Sequence, residues 1–169
     1  YYDFNWLSNA DANATAKTTT QAYVDGFNAK VDASGLRNLH AGLYKTGDGI
    51  LRLTGTNTYL GSSIAAGGIL AVDGSVAGDA YSVESGVLAG AGTINGNVYN
   101  KNALLPGTYA VNSILDTQPA YQPGDLHIQG NLYSSGTLLV TAKGTENSKL
   151  IVGGSSNLAG STLNVADST

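Results

Sequence analysis

No cysteine occurs in the chain. Disulfide scaffolds and cysteine-ligated zinc are thereby excluded, and a chain that had to cross an oxidising periplasm would be spared trapping by stray disulfides. Proline is scarce too, three in 169 residues, which leaves most backbone N–H groups free for ladder bonding. Charge is thin: 12% of residues are charged, against roughly 25% in an average soluble protein. The net charge is −4, and the eight Lys and Arg are scattered. Nucleic acid and anionic membranes both select clustered cations, so neither is expected as a partner. No apolar run reaches ~18 residues, so no transmembrane helix and no direct membrane insertion are expected. The opening "YYDFNWLSNADANATAK" has no charged n-region and no apolar h-region, unlike a signal peptide. Because it starts at a tyrosine, the chain is expected to be a fragment of something larger.

What replaces the missing charge is Gly, Ser, Thr and Asn, with 23 glycines. Those residues serve turns and β-edges better than helix interiors. Two textures follow. Residues 1–41 are rich in Ala, Thr and Asn and read as a linker or irregular N-terminal segment. Within it, "TQAYVDGFNAKVD" has Tyr23, Val24 and Phe27 at helical spacing, but Gly26 interrupts them, and a mostly extended or looped structure is expected. From residue 42 a rhythm sets in: "GILRLTG", "GILAVDG", "AYSVESG", "GVLAGAG", "DLHIQGNLY", "GTLLVTAKG", "STLNVAD". Apolar and polar residues alternate, so one side of each short strand faces inward. Strands of ~3–5 residues are too short to stand alone. Closely spaced sharp corners mark a solenoid, in which each strand pairs with its counterpart one winding on.

The predicted fold class is therefore all-β, a parallel β-helix over 42–169. About 20 residues per winding implies on the order of six windings. The expected interior is Leu51, Leu53, Ile64, Leu70, Val72, Val83, Leu88, Ile94, Val98, Leu104, Leu126, Ile128, Leu138, Val140, Leu150, Val152, Leu158 and Leu163. All three prolines lie within 104–126, which is expected to bulge out as a loop insertion, either a candidate contact site or a tolerated insertion. Asn and Ser at 95–97 and 153–157 read first as turn residues, with stacked polar ladders as the alternative.

Residues 42–76, "GLYKTGDGILRLTGTNTYLGSSIAAGGILAVDGSV", resemble the passenger-associated repeat of bacterial autotransporters. Leu43, Lys45, Gly47, Gly49, Leu51, Leu53, Gly55, Asn57, Thr58, Tyr59, Gly61, Ile64, Gly67 and Leu70 occupy the repeat's places; Ser63 stands where Thr is usual. "GVLAGAGTINGNVYNKNALLPG" and the stretches after it are similar to later parts of such passengers. The order of parts looks most like the stem of the subtilisin-type autotransporter proteases. That resemblance implies a right-handed β-helix, with 1–41 as linker from an effector domain, possession of a C-terminal translocator barrel in the same parent chain, and display at the bacterial cell surface or release outside the cell.

Chemistry within the chain itself is not expected. A Ser–His–Asp arrangement could draw only on His40 and His127, and "G-x-S-x-G", "HGT" and "GTSMA" are all absent. Asp73, Asp79 and Glu84 could cluster as paired carboxylates for polysaccharide chemistry, though a dozen scattered acids make such proximity common. "AVDGSVAGDAYS" faintly resembles calcium-binding nonapeptide turns, but the full repeat never appears. No catalytic residue, metal or cofactor is therefore assigned. Ten tyrosines against two Phe and one Trp is a bias that either caps the windings at corners or offers a strip to a host glycan or protein. Tyr109 and Tyr121, inside the insertion, are the contact candidates; Tyr59 belongs to the repeat and is expected to be structural.

Overall fold

In the computed structural model the described residues are 41–110 and 120–167, together with Asp25 and Ala29. The chain divides into two units, Tyr1–His40 and Ala41–Thr169. In the first, Asp25 and Ala29 are helical, so at these two positions the expected extended or looped backbone is replaced by helix. The rest of that expectation, and His40, lie outside the described residues.

The second unit is all β, in repeated windings. The first is β1 (Leu43–Lys45), β2 (Ile50–Leu53) and β3 (Thr56–Asn57). The second is β4 (Ser63–Ala65), β5 (Ile69–Val72) and β6 (Ser75–Val76), and the third β7 (Ala80–Ser82), β8 (Val87–Gly90) and β9 (Thr93–Ile94). The fourth holds β10 (Val98–Asn100) and β11 (Ala103–Pro106), detours through β12 (Thr108–Ala110) and β13 (Ala120–Gln122), and closes with β14 (Asp125–Ile128). The fifth is β15 (Leu132–Ser134), β16 (Thr137–Lys143), β17 (Glu146–Asn147) and β18 (Lys149–Val152); β19 (Ser156–Asn157) and β20 (Thr162–Asp167) begin a sixth.

Strands one winding apart pair in parallel and build three sheets. One runs β1-β4-β7-β10-β15-β19, the second β2-β5-β8-β11-β16 with β20 beyond β16, the third β3-β6-β9-β14-β18. This is a parallel β-helix. The register is set by matched apolar positions: Leu51, Leu70, Leu88, Leu104, Leu138 and Leu163 form one column of the second sheet. Val76, Ile94, Ile128 and Val152 form a facing column of the third. Leu70, Leu88, Ile94 and Leu104 are fully buried. Because each rung is covered by rungs on both sides, no winding encloses a core by itself.

The interior differs from the sequence expectation where the first sheet is concerned. Its three-residue strands turn their outer two residues inward and the middle one out. Ser63 and Ala65 are therefore buried, and Ile64, expected inside, faces outward. Val83, just beyond β7, and Val140 are only half-buried. Leu158 lies exposed at a corner, and Leu163 keeps its place in the leucine column but stands on β20, whose only described partner is β16. Val76 and Leu132 belong to the core and complete it.

The 104–126 stretch is narrower as an insertion than as a sequence interruption. Leu104, Pro106 and Leu126 are in strands of the windings and buried. The departure is an antiparallel pair, β12 with β13, Tyr109 opposite Tyr121. Its base is tied down from below. Arg52 grips Asp73 through Nε (2.7 Å) and Nη2 (2.6 Å), and Nη2 also donates to Thr108 Oγ1 at 3.2 Å.

Candidate functional site

The parallel register turns one recurrent residue into a row. "AYS", "VYN" and "LYS" place Tyr81, Tyr99 and Tyr133 at the outward middle position of β7, β10 and β15, directly in register. Tyr81 and Tyr99 stack with centroids 4.6 Å apart and planes 11° from parallel; Tyr99 and Tyr133 stack at 5.0 Å and 14°. The spacing follows from the inter-strand repeat of ~4.8 Å, which is also a good distance for offset aromatic stacking. These tyrosines are not corner caps. They sit mid-strand on the outer surface, which is why corner-based reasoning did not find them; the recurring apolar-Tyr-Ser/Asn triplet is the signal that could have.

Behind the row runs a polar column. Ser82, Asn100 and Ser134 are in register and buried, on the inward side of the same strands. Ser82 Oγ donates to Asn100 Oδ1 at 2.5 Å; Asn100 Nδ2 donates to Ser134 Oγ at 3.0 Å and to the Thr137 carbonyl at 3.1 Å. Ser161 Oγ continues the chain to Ser134 Oγ at 2.8 Å. A second ladder runs along the corner. Asp79 Oδ1 accepts from the Asn97 N–H (2.8 Å), Asn97 Oδ1 from the Asn131 N–H (2.9 Å), and Asn131 Oδ1 from the Ser155 N–H (2.9 Å). Each winding thus offers its acceptor to the backbone of the next. The corner residues that sequence reasoning assigned first to turns form a stacked ladder as well.

The ring environment leaves a titration signature. The Tyr99 hydroxyl is shifted above the ordinary tyrosine value, first by loss of water around it, then by the Asp79 charge and by Tyr81 and Tyr133. Tyr109 is shifted the same way by burial and by Tyr121. For an acid favoured in its neutral form by the fold, the stabilisation is complete below the unfolded-state pKa and fades as pH rises through the folded one. We therefore expect the Tyr99 and Tyr109 phenols to ionise above the ordinary tyrosine value in an alkaline titration followed by tyrosinate absorbance. Tyr99→Phe should reduce the late-titrating absorbance, and an unchanged titration would contradict the assignment.

The contact candidates of the insertion meet each other. Tyr109 and Tyr121 are half-buried and pack edge to face, centroids 5.7 Å apart at 71°, and the Tyr121 hydroxyl donates to the Pro106 carbonyl. The repeat residues lie over the first two windings. Leu51, Leu53 and Tyr59 pack on the core's edge, and the Tyr59 hydroxyl meets Ser63 Oγ at 2.6 Å. Asn57 Nδ2 donates to the Gly55 and Ser75 carbonyls, both at 3.0 Å. Gly47 adopts φ 72°, a left-handed turn that suits glycine; Gly49 stands open, Thr58 is exposed, and the Gly61 N–H bonds the Ala41 carbonyl at 3.0 Å. Lys45, also a repeat residue, occupies the polar column's place in the first winding, where Nζ gathers the carbonyls of Thr46, Gly47 and Gly67 at 2.7, 2.7 and 3.1 Å.

The carboxylates are not brought together as a catalytic pair. Asp73 follows β5 and is held by Arg52 and the Ala91 N–H, Asp79 precedes β7 in the corner ladder, and exposed Glu84 follows β7. His127 lies half-buried between buried Leu126 and Ile128, its side turned outward as alternation predicts. Among the described residues no group of three or more His, Asp or Glu side chains could hold a metal ion.

Part of the chain is similar to two proteins called extracellular serine protease from Serratia marcescens. They are 53% and 47% identical over 55 residues, which is 32% of this chain and 5% of each of theirs. It is also similar to the adhesin BmaC autotransporter of Brucella suis biovar 1 (strain 1330), 43% identical over 70 residues, 41% of this chain and 2% of that one. The matches thus span a twentieth or less of these relatives' length. No family model matches the chain, and no solved structure does.

Proposed function

We propose that the chain is a non-catalytic structural stem of an autotransporter passenger, which supports folding, secretion and surface display of an adjacent effector domain. On this reading its partners are that domain, a serine protease by analogy with the extracellular proteases it resembles in part, and a translocator barrel, both in the same parent chain. It acts at the bacterial cell surface or outside the cell. The likeness of part of the chain to an autotransporter adhesin and to extracellular serine proteases supports the setting. The observation that carries the role is the corner ladder from Asp79 through Asn97 and Asn131 to Ser155. Such a ladder, with the shared leucine column, lets each formed winding template its neighbour, so that folding advances along one axis. Folding on the far side of the membrane would then draw chain outward. In the full-length parent, deletion of 126–169 should abolish display of the effector at the surface; display at the native level would contradict the stem role.

A second reading, an adhesin-like module that grips a host glycan or protein, is favoured by the stacked tyrosine row on the outer face. In its first form the contacts are Tyr109 and Tyr121, and Tyr109→Ala and Tyr121→Ala should reduce binding on a glycan array.

A further inference from the structure

The tyrosine stack has two ends, and they differ. Below Tyr81 the next rung is Ile64, whose branched side chain occupies the same outward column. Beyond Tyr133 the next rung is Asn157. Asn157 is short, and its Oδ1 is turned back to accept the N–H of Ala159 at 3.1 Å. It therefore does not cover the last ring. Tyr133 is 40% exposed and borders an open recess lined by Tyr99, Lys101, Tyr133, Ser135, Asn157 and Ala159.

We infer that this recess binds the pyranose ring of a glycan, laid on the bare face of Tyr133 as the next member of the stack. The inference rests on the binding reading and is independent of the stem role. A sugar ring has one C–H face that suits an aromatic surface and a rim of hydroxyls that needs hydrogen-bonding partners. The recess supplies both: a tyrosine face as floor, and the Ser135 hydroxyl, Asn157 amide and Lys101 ammonium around it. A few placed polar groups around an apolar platform is the usual construction of a small-molecule site. An aromatic peptide side chain would use the floor but leave this polar rim desolvated without partners, which costs free energy. Lys101 is exposed and has no ion-pair partner among the described residues, so a carboxylate-bearing sugar gains a contact that a neutral one lacks. Preorganisation favours the site: Tyr133 is held by Tyr99, which is held by Tyr81, so no ring has to be ordered on binding.

The test is saturation-transfer NMR of the 169-residue chain with the methyl glycosides of glucose, N-acetylglucosamine and glucuronic acid. Transfer to the ring C–H protons is expected, strongest for the glucuronide. Tyr133→Ala should abolish it. Asn157→Tyr, which extends the stack into the recess, should abolish it while leaving the fold intact by circular dichroism, and Lys101→Gln should remove only the glucuronide's advantage. Transfer that survives both Tyr133→Ala and Asn157→Tyr but is lost in Tyr109→Ala or Tyr121→Ala would overturn the recess and leave the binding reading standing. No transfer to any of the three sugars from the native chain would overturn the recess as a glycan site, and the binding reading would then stand or fall on the Tyr109→Ala and Tyr121→Ala variants.

Discussion

Gly90→Ala will destabilise the middle of the helix by ~3 kcal/mol or more, roughly 10 °C in melting temperature for a chain of this size. Two independent causes add. Gly90 ends β8 with φ 136°, a conformation that residues with a Cβ rarely adopt. A Cβ there would also run into the backbone of Val72 one winding below. That atom cannot be accommodated by a rotamer change, because the obstacle is a carbonyl in a paired strand. The place is also a junction: Gly90 pairs with Pro106 and bonds Gly107, where the chain leaves for the β12–β13 pair. Circular dichroism melts of the native chain and the variant check this; a melting temperature within a degree or two of native would show that adjacent windings do not approach as closely as described.

Asn100→Ala is expected to cost ~2–3 kcal/mol, an effect out of proportion to the atoms removed. Asn100 is wholly buried and serves the hydroxyls of Ser82 and Ser134 and the Thr137 carbonyl. Deleting its amide takes a hydrogen-bond partner from all three at once, two of them hydroxyls of buried serines, and the desolvation already incurred is no longer fully offset. The same argument predicts a rescue. The triple variant Ser82→Ala, Asn100→Leu, Ser134→Ala removes both hydroxyls along with the amide and should recover part of the loss, because of Asn100's three partners only the Thr137 carbonyl is left behind. Urea denaturation of the native chain, single and triple variants separates the cases. A single variant as stable as native would mean that the column is hydrated.

The solenoid was legible because its cause is periodic. Alternation at Leu70 and Val72, Leu126 and Ile128, and Leu138 and Val140, cut by glycines at close intervals, admits few other arrangements, and the three-sheet ladder follows from it. Interior and surface were separable where strands are four residues long, as for Leu70, Leu88 and Leu104. They were not separable in the first sheet. There the strands have only one outward residue, and hydrophobicity misassigned Ile64 while Ser63, Ser82 and Asn100 went inside. A buried polar residue is affordable only if its partner is in register, and the partner stands a whole winding away, 18 residues for Ser82 and Asn100 and 34 for Asn100 and Ser134. No local window contains that information.

The candidate site was hidden for the same reason. Tyr81, Tyr99 and Tyr133 are separated by unequal intervals, since the β12–β13 detour lies between the second and third. Only the ladder makes them neighbours. The tyrosines that stood out in the sequence, Tyr109 and Tyr121, did so because prolines surround them, and in the fold they pack against each other. Lys45 carries a similar lesson. As a repeat residue it could be placed, but its work, collecting three carbonyls from two windings, depends on how those windings lie.

Everything rests on successive windings lying parallel and in register, and the absence of native cysteine makes this directly measurable by nitroxide labelling. Ser75→Cys with Thr93→Cys places labels on facing rungs of β6 and β9, with Cα atoms ~4.8 Å apart. Electron paramagnetic resonance of this pair should show strong dipolar broadening relative to the sum of the single-label spectra, and clearly more than Ser75→Cys with Asn95→Cys, two residues out of register. A facing pair no broader than the sum of its singles, or an out-of-register pair broader than the facing one, would contradict the parallel ladder and with it the shared interior.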